Sequence, residues 1–336
     1  EEALGAVVNM SAAGLLLETD ADIEPGQHVI LSIDIEHQDE PVSAKAEVVR
    51  KADPNRDGVE GIGVRFLSFA GDSRERLEAI LGEAETRRRI QQCIDVLRLP
   101  DVRCLSVKIS TLYSQVSPLA RSHTISKAAD RLETLYRTAD HEIDQETGCG
   151  KFVYLDMEEY RDLYLTADIL CETLDRAGLE QTHAGIALQA YIPDSHRVMR
   201  RLIDWSKQRA ASGGTPLTIR LVKGANMEME RVEASIGGHR QAPYSSKIDT
   251  DANYKRMLRE LVDAAATRIV RIGLASHNLF DVALGMIWGE TAGLGNGIQI
   301  EMLEGMANHQ RRAISEHQSD ILLYAPACHQ EGFLNA

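Results

Sequence analysis

The stretch LTIRLVKGAN (residues 217–226) reads as a short apolar strand that ends in a lysine, a glycine and an asparagine, for which an ordinary core strand has no use. Six further segments repeat the pattern on either side of it. CLSVKIS (104–110), KFVYLDMEE (151–159) and GIALQAY (185–191) precede it; RIGLASHN (271–278), GIQIEMLEGM (297–306) and ILLYAPACH (321–329) follow. Longer stretches with helical periodicity separate them, and that alternation is the signature of a parallel sheet covered by helices. Polar residues gathered at the carboxyl ends of successive parallel strands place a site at the top of a (β/α)8 barrel. The expected fold class is therefore α/β, organised around such a site.

Composition sets outer limits. With 336 residues, 43% of them hydrophobic and 26% charged, the chain can bury one large core or two unequal ones. Its net charge of −14, most of it before about residue 85, argues against a phosphate-tracking nucleic-acid surface and an anionic membrane partner. Phe and Trp are too scarce for a base-stacking platform. No apolar run approaches the roughly 18 residues of a membrane span, and the acidic EEALG start is no signal peptide. Cysteines at 93, 104, 149, 171 and 328 show neither CxxC spacing nor a disulfide framework. The histidines form no HExxH-like cluster, so no metal site is expected. These features imply a soluble protein of a reducing cytoplasm. The absent initiator Met implies that the chain begins inside a longer gene product.

The first 85 or so residues differ from the rest. Short alternating runs, among them GLLLET (14–19), HVILSIDI (28–35) and GIGVRFLSF (61–69), are punctuated by Gly, Pro, Asn and Asp, as in a small antiparallel barrel or sandwich. A helix-like stretch, DSRERLEAILGEAETRRRIQQCIDVL (72–97), follows without a linker. The pattern Asn9-x-Ser11-x-x-Gly14, with GLLLET and GIGVRF after it, resembles a PilZ domain. In that family the motif binds cyclic di-GMP together with an upstream RxxxR motif, whose arginines supply bidentate contacts. Nothing precedes Glu1 to hold those arginines, and the plainer reading of Asn9, Ser11 and Gly14 is turn chemistry.

From about Leu81 the resemblance is to proline dehydrogenase, in particular the proline dehydrogenase module of bifunctional proline utilization A proteins. The motifs SVKIS, YLDMEEY, QAYIPDS, IRLVKGAN, SHN, LEGM and LYAP stand in the family's order. The resemblance implies an FAD-dependent barrel that oxidises L-proline to Δ1-pyrroline-5-carboxylate and passes electrons to a quinone. It implies that Lys108 meets the substrate carboxylate, with Asp156 in the same polar network, Tyr324 packed on the substrate ring and Leu303 as an apolar wall. On the cofactor side it implies Arg220 near flavin N5, with Gln189, Val222, Lys223, Gly224 and Ala225 as further flavin contacts. Lys247 and Thr250 match pyrophosphate and ribose contacts, and His277 and Asn278 match the adenosine side. No GxGxxG follows a strand, so a dinucleotide is held without that fingerprint. Independently of the family, a buried Lys108 and Asp156 at adjacent strand ends are expected to pair. Glu228, Glu230 and the run 87–89 are expected on solvated helix faces.

Three departures bear on activity. The family's closing helix, with its Arg-Arg pair for the proline carboxylate, has no counterpart before Ala336, and losing it should cost several kcal/mol of substrate affinity. The LGEA motif (81–84), whose Glu83 pairs in the family with a closing arginine, is preceded by a helical DSRERLEAI in place of an apolar first strand. Asn226 stands where many family members carry an aromatic. The expected architecture is thus a PilZ-like antiparallel β-barrel (1–82) followed by an incomplete TIM-like (β/α)8 barrel (83–336) without its first strand and last helix. Two alternatives stay open: a cyclic di-GMP-responsive module on a non-catalytic scaffold, and a join of two unrelated genes at LGEA.

Overall fold

The computed structural model describes residues 3–35, 38, 40–318 and 320–325, and the chain divides into two compact units, Glu1–Arg88 and Arg89–Ala336. In the first unit β1 (Ala6–Met10), β2 (Gly14–Glu18), β3 (His28–Ile33) and β4 (Val42–Lys51) are followed by a one-turn α1 (Pro54–Asp57) and β5 (Gly61–Phe69). All five strands pair antiparallel in the order β1-β2-β5-β4-β3. The expected small barrel is therefore a single open sheet: among the described residues nothing pairs β1 with β3. Strand alternation signals pairing but not closure, which depends on tilt and stagger summed over the whole sheet. Val42, Ala46 and Val48 on one face of β4 pack with Leu15, Ile62, Val64 and Leu77. The Asn9–Gly14 pattern forms the β1–β2 turn, where the Ser11 hydroxyl donates to the Gly14 carbonyl at 3.2 Å and accepts from the Ala13 N–H. Gly14 is required there, since a Cβ would lie 2.1 Å from the Val64 carbonyl oxygen. Leu77 and the LGEA motif fall on α2 (Ser73–Leu97), as the helical composition of DSRERLEAI implies.

The second unit realises all seven strand segments: β6 (Cys104–Lys108), β7 (Phe152–Asp156), β8 (Ala184–Gln189), β9 (Leu217–Val222), β10 (Val270–Ala275), β11 (Ile298–Leu303) and β12 (Ile321–Tyr324). They pair parallel in sequence order. Between them run α3 (Ile109–Leu112), α4 (Arg121–His141), α5 (Leu163–Leu174), α6 (Asp194–Ala211), α7 (Met227–Gly237), α8 (Lys247–Ala266), α9 (Leu279–Thr291) and α10 (Asn308–Ser315). Every residue of β8 is buried, as in a parallel sheet covered on both faces.

The sheet curls strongly. Six flat spacings of about 4.8 Å would hold β6 and β12 roughly 29 Å apart. Instead Cys104 Sγ of β6 lies 3.5 Å from Tyr324 Oη of β12. The result is an incomplete TIM-like barrel, with β6 and β12 unpaired to each other among the described residues. The CHQEGF segment after β12 lies outside the described residues. Among those described, no helix is long and apolar enough to cross a membrane.

Candidate active site

Inward-pointing residues at the carboxyl ends of the strands line a cavity of about 590 Å³. Twelve of the fifteen candidate residues lie on its wall: Lys108, Asp156, Gln189, Arg220, Val222, Lys223, Gly224, Ala225, His277, Asn278, Leu303 and Tyr324. The period of two in each strand explains the gathering, because residues 106/108, 154/156, 187/189, 220/222 and 301/303 share the concave face. Of the other three, Lys247 is exposed on the first turn of α8 and pairs with Asp251 at 2.5 Å. Thr250 is buried in the same helix and donates to the Ser246 carbonyl. Glu83 belongs to the first unit, where its carboxylate accepts from Arg87 at 3.4 Å.

Arg220 organises the interior. Its Nη1 donates to Asp156 Oδ1 (2.7 Å), its Nη2 to Ser106 Oγ (3.0 Å) and its Nε to Glu301 Oε2 (2.7 Å). Its guanidinium carbon lies 3.9 Å from the Tyr154 ring centroid and 4.0 Å from that of Tyr324, a cation–π sandwich. Tyr154 Oη donates to the other oxygen of Glu301 at 2.6 Å. Burial pushes the carboxyls of both Asp156 and Glu301 above their ordinary values, and Arg220 offsets only part of that. Burial alone would lower the Arg220 pKa, but the two carboxylates raise it on balance. The expected Lys108–Asp156 pair does not form, although the two residues face each other in register. Lys108 is more than half exposed and lies 3.7 Å from Glu158, because the fork of Arg220 takes Asp156.

On the neighbouring strand β8, Gln189 is buried; its Nε2 donates to the Met157 carbonyl at 3.2 Å and its Oε1 has no partner. Lys223 is clamped between Asp251 and Asp281, each at 2.7 Å, and those carboxylates raise its pKa against the lowering by burial. Gly224 has φ +110°, and a Cβ there would lie 2.0 Å from the Tyr191 ring, so an aromatic neighbour already demands glycine. His277 Nε2 accepts the Leu303 N–H at 3.1 Å, which leaves the proton on Nδ1, a buried atom without a partner. Asn278 is exposed and caps α9, accepting the Phe280 N–H at 2.9 Å. Asn226 donates to the Glu158 carbonyl at 2.9 Å, tying the loop after β9 to the loop after β7. Among the described residues no three His, Cys, Asp or Glu side chains are grouped to hold a metal.

A buried arginine between two carboxylates, ringed by tyrosines at the rim of a parallel barrel, gives the sequence match its meaning. The proline dehydrogenase family model matches residues 29–335. The chain belongs to the proline dehydrogenase family. The match begins inside β3, well before the LGEA motif at which the resemblance was expected to start. Among solved structures the chain is similar to proline utilization A from Corynebacterium freiburgense, with 37% identity over 77% of this chain and 26% of that one, at a TM-score of 0.71. It is similar also to proline utilization A from Bdellovibrio bacteriovorus inactivated by N-propargylglycine (27% identity, 75% of this chain, 27% of that one, TM-score 0.66). A mutant of the Bradyrhizobium japonicum protein matches at 25% identity over 75% and 26% of the two chains, with a TM-score of 0.63. The chain thus spans about a quarter of the length of these proteins. No curated protein matches it.

Reasoning from sequence passed over Ser106, Tyr154 and Glu301, which complete the Arg220 network. A signal was present, since Ser106 and Tyr154 stand two residues before Lys108 and Asp156, and Glu301 two before Leu303, each on the same strand face. Glu230 was expected on a solvated face but is buried on α7, where it accepts the Tyr160 N–H at 2.6 Å. Its helix is amphipathic, and the loop after β7 folds over that position. Glu228 is exposed as expected, and so is the run 87–89.

Proposed function

We propose that this chain carries out the flavin-dependent oxidation of L-proline to Δ1-pyrroline-5-carboxylate, with FAD held along the β8–β10 wall of the cavity. The observation that carries this reading is an unsatisfied buried amide oxygen on Gln189 and a fixed cation, Arg220, on neighbouring strands of one cavity wall. A buried polar atom without a partner costs about 1–3 kcal/mol. A planar heterocycle with an N–H edge, as a flavin has, meets that need. The Nδ1–H of His277 offers a donor to the same ligand.

When bound, the flavin supplies the two-electron acceptor: hydride leaves the ring carbon beside the proline nitrogen, the N–H proton goes to solvent, and the C–N bond becomes C=N. Arg220 supplies positive charge where electron density rises. Lys108, held only loosely by Glu158, is free to turn its ammonium to the substrate carboxylate. Tyr324 and Leu303 give the proline ring an apolar wall. Lys247 and Thr250, outside the cavity, are the proposed contacts for the pyrophosphate and ribose, with Asn278 toward the adenosine. A quinone is the acceptor that the family reading supplies for the electrons.

The test is a visible absorption spectrum of purified protein incubated with FAD, recorded before and after anaerobic addition of L-proline. A bound flavin spectrum that bleaches is expected. A protein that takes up no flavin, or flavin that stays oxidised, overturns the reading. A cyclic di-GMP-binding role for the first unit draws support only from the Asn9–Gly14 pattern, and the same purified protein would reveal it by calorimetry with that dinucleotide.

A further inference from the structure

Two inward positions of the barrel wall are cut back to glycine around one side-chain pair. A Cβ on Gly273 of β10 would lie 2.2 Å from Glu301 Oε1 and 2.8 Å from Tyr154 Oη. A Cβ on Gly185 of β8 would lie 2.3 Å from the Tyr154 ring. The space so made admits the 2.6 Å phenol–carboxylate hydrogen bond and lets Glu301 meet Arg220 from inside the barrel. The Glu301 side chain is 0% exposed. Arg220, Asp156 and Glu301 together carry one cation and two carboxylates, so the ionised cluster has a negative charge in excess.

Stability alone does not account for this arrangement. A buried ion cluster is often no better than apolar residues of the same volume. All three charged residues line the cavity beside Lys108, so a redox group bound there feels each of their charges, that of fully covered Glu301 at low dielectric.

We propose that Glu301 is a positioning and charge-setting residue of the site: with Tyr154 it fixes the Arg220 guanidinium from beneath, and its own charge lowers the reduction potential of the flavin. The proposal rests on the flavin reading above. Glu301 offsets the cation that would otherwise make the bound flavin a stronger oxidant, while its hydrogen bond to Nε directs the Nη edge of Arg220 toward Asp156 and Ser106.

Glu301→Gln keeps the shape and removes the charge. With FAD bound, its midpoint potential should rise by about 30 mV relative to wild type, a tenfold change in the oxidised-to-reduced ratio for a two-electron couple. Tyr154→Phe, which leaves the charge in place, should move the potential much less. An E301Q potential equal to that of the wild type overturns the charge-setting role. A readout without flavin accompanies it: a crystal structure of E301Q apoprotein should show Arg220 displaced from between Tyr154 and Tyr324. An unmoved guanidinium overturns the positioning role. If wild type takes up no FAD, the flavin reading and the charge-setting role fall together, and the position of Arg220 decides the positioning role by itself. If E301Q does not fold, Gly273→Ala serves both arms. It should press Glu301 away from Arg220, displace the guanidinium and shift the potential, and a wild-type guanidinium and potential in that variant overturn the proposal.

Discussion

The two sheets of this chain enclose different matter. Packed against the five-stranded sheet are apolar side chains such as Leu15, Val48, Ile62 and Val64, with the rings of Phe66 and Phe69 beside them, and charged groups such as Lys51 with Asp22 and Glu24 stand outside. Inside the seven-stranded sheet an arginine, a carboxylate, an amide and a phenol are buried together, with the Asp156 carboxylate only 25% exposed beside them. Surface pairs lose little water and gain little. Buried ions lose nearly all their water, a cost of several kcal/mol each, and stay folded only when each meets partners of good geometry. The first arrangement is the product of folding alone. The second is retained where a ligand benefits from charges that water cannot screen.

The comparison breaks most readily at Arg220. Arg220→Met would leave buried Glu301 and the mostly covered Asp156 without their cation and should destabilise the second unit by about 3–5 kcal/mol. Tryptophan fluorescence reports on that unit alone, since the chain's two tryptophans, Trp205 and Trp288, both belong to it. An unchanged denaturant midpoint would mean that the interior charges are hydrated after all.

A smaller effect is expected at Asp162, whose carboxyl is buried, with Oδ1 unpartnered, and pushed up to about 6 by burial. Because the folded state holds this proton more tightly than the unfolded chain does, the contribution is full below the ordinary value of 3.8 and is lost as pH rises through about 6. Asp162→Asn should remove that loss and raise stability at neutral pH. Denaturant midpoints measured on both sides of the window check it, and parallel pH curves for the two proteins would contradict it.

The smallest effect belongs to the first unit. Lys51→Ala removes a cation paired with Asp22 at 2.9 Å and Glu24 at 2.7 Å, all exposed. It should leave hydrogen exchange of the β4 and β5 amides unchanged. Faster exchange there would show that surface charge holds the open sheet together and would narrow the contrast between the two units.

The parallel sheet was legible because strands buried on both faces are continuous apolar runs, and because their polar ends break that rule in the same place each time. Much of the cavity wall was legible for the same reason. What stayed hidden was pairing. Lys108 and Asp156 are register neighbours, the strongest local argument for an ion pair, yet Arg220 from two strands away takes the carboxylate with better geometry. Glu230 sits among charged neighbours on a helix, and only the fold of the loop after β7 buries it. The openness of the first sheet was hidden too, since no short run carries information about whether the first and last strands meet.

The sequence by itself determined the alternation of strands and helices, the direction of the seven strands and the faces on which their polar ends lie, because these follow from periods of 2 and 3.6 within a few residues. Only the tertiary structure decided which charges meet. Arg220 and Glu301 are 81 residues apart along the chain, and they touch because the sheet curls. That curl is the sum of many small twists between neighbouring strands, so no segment of the sequence holds it alone.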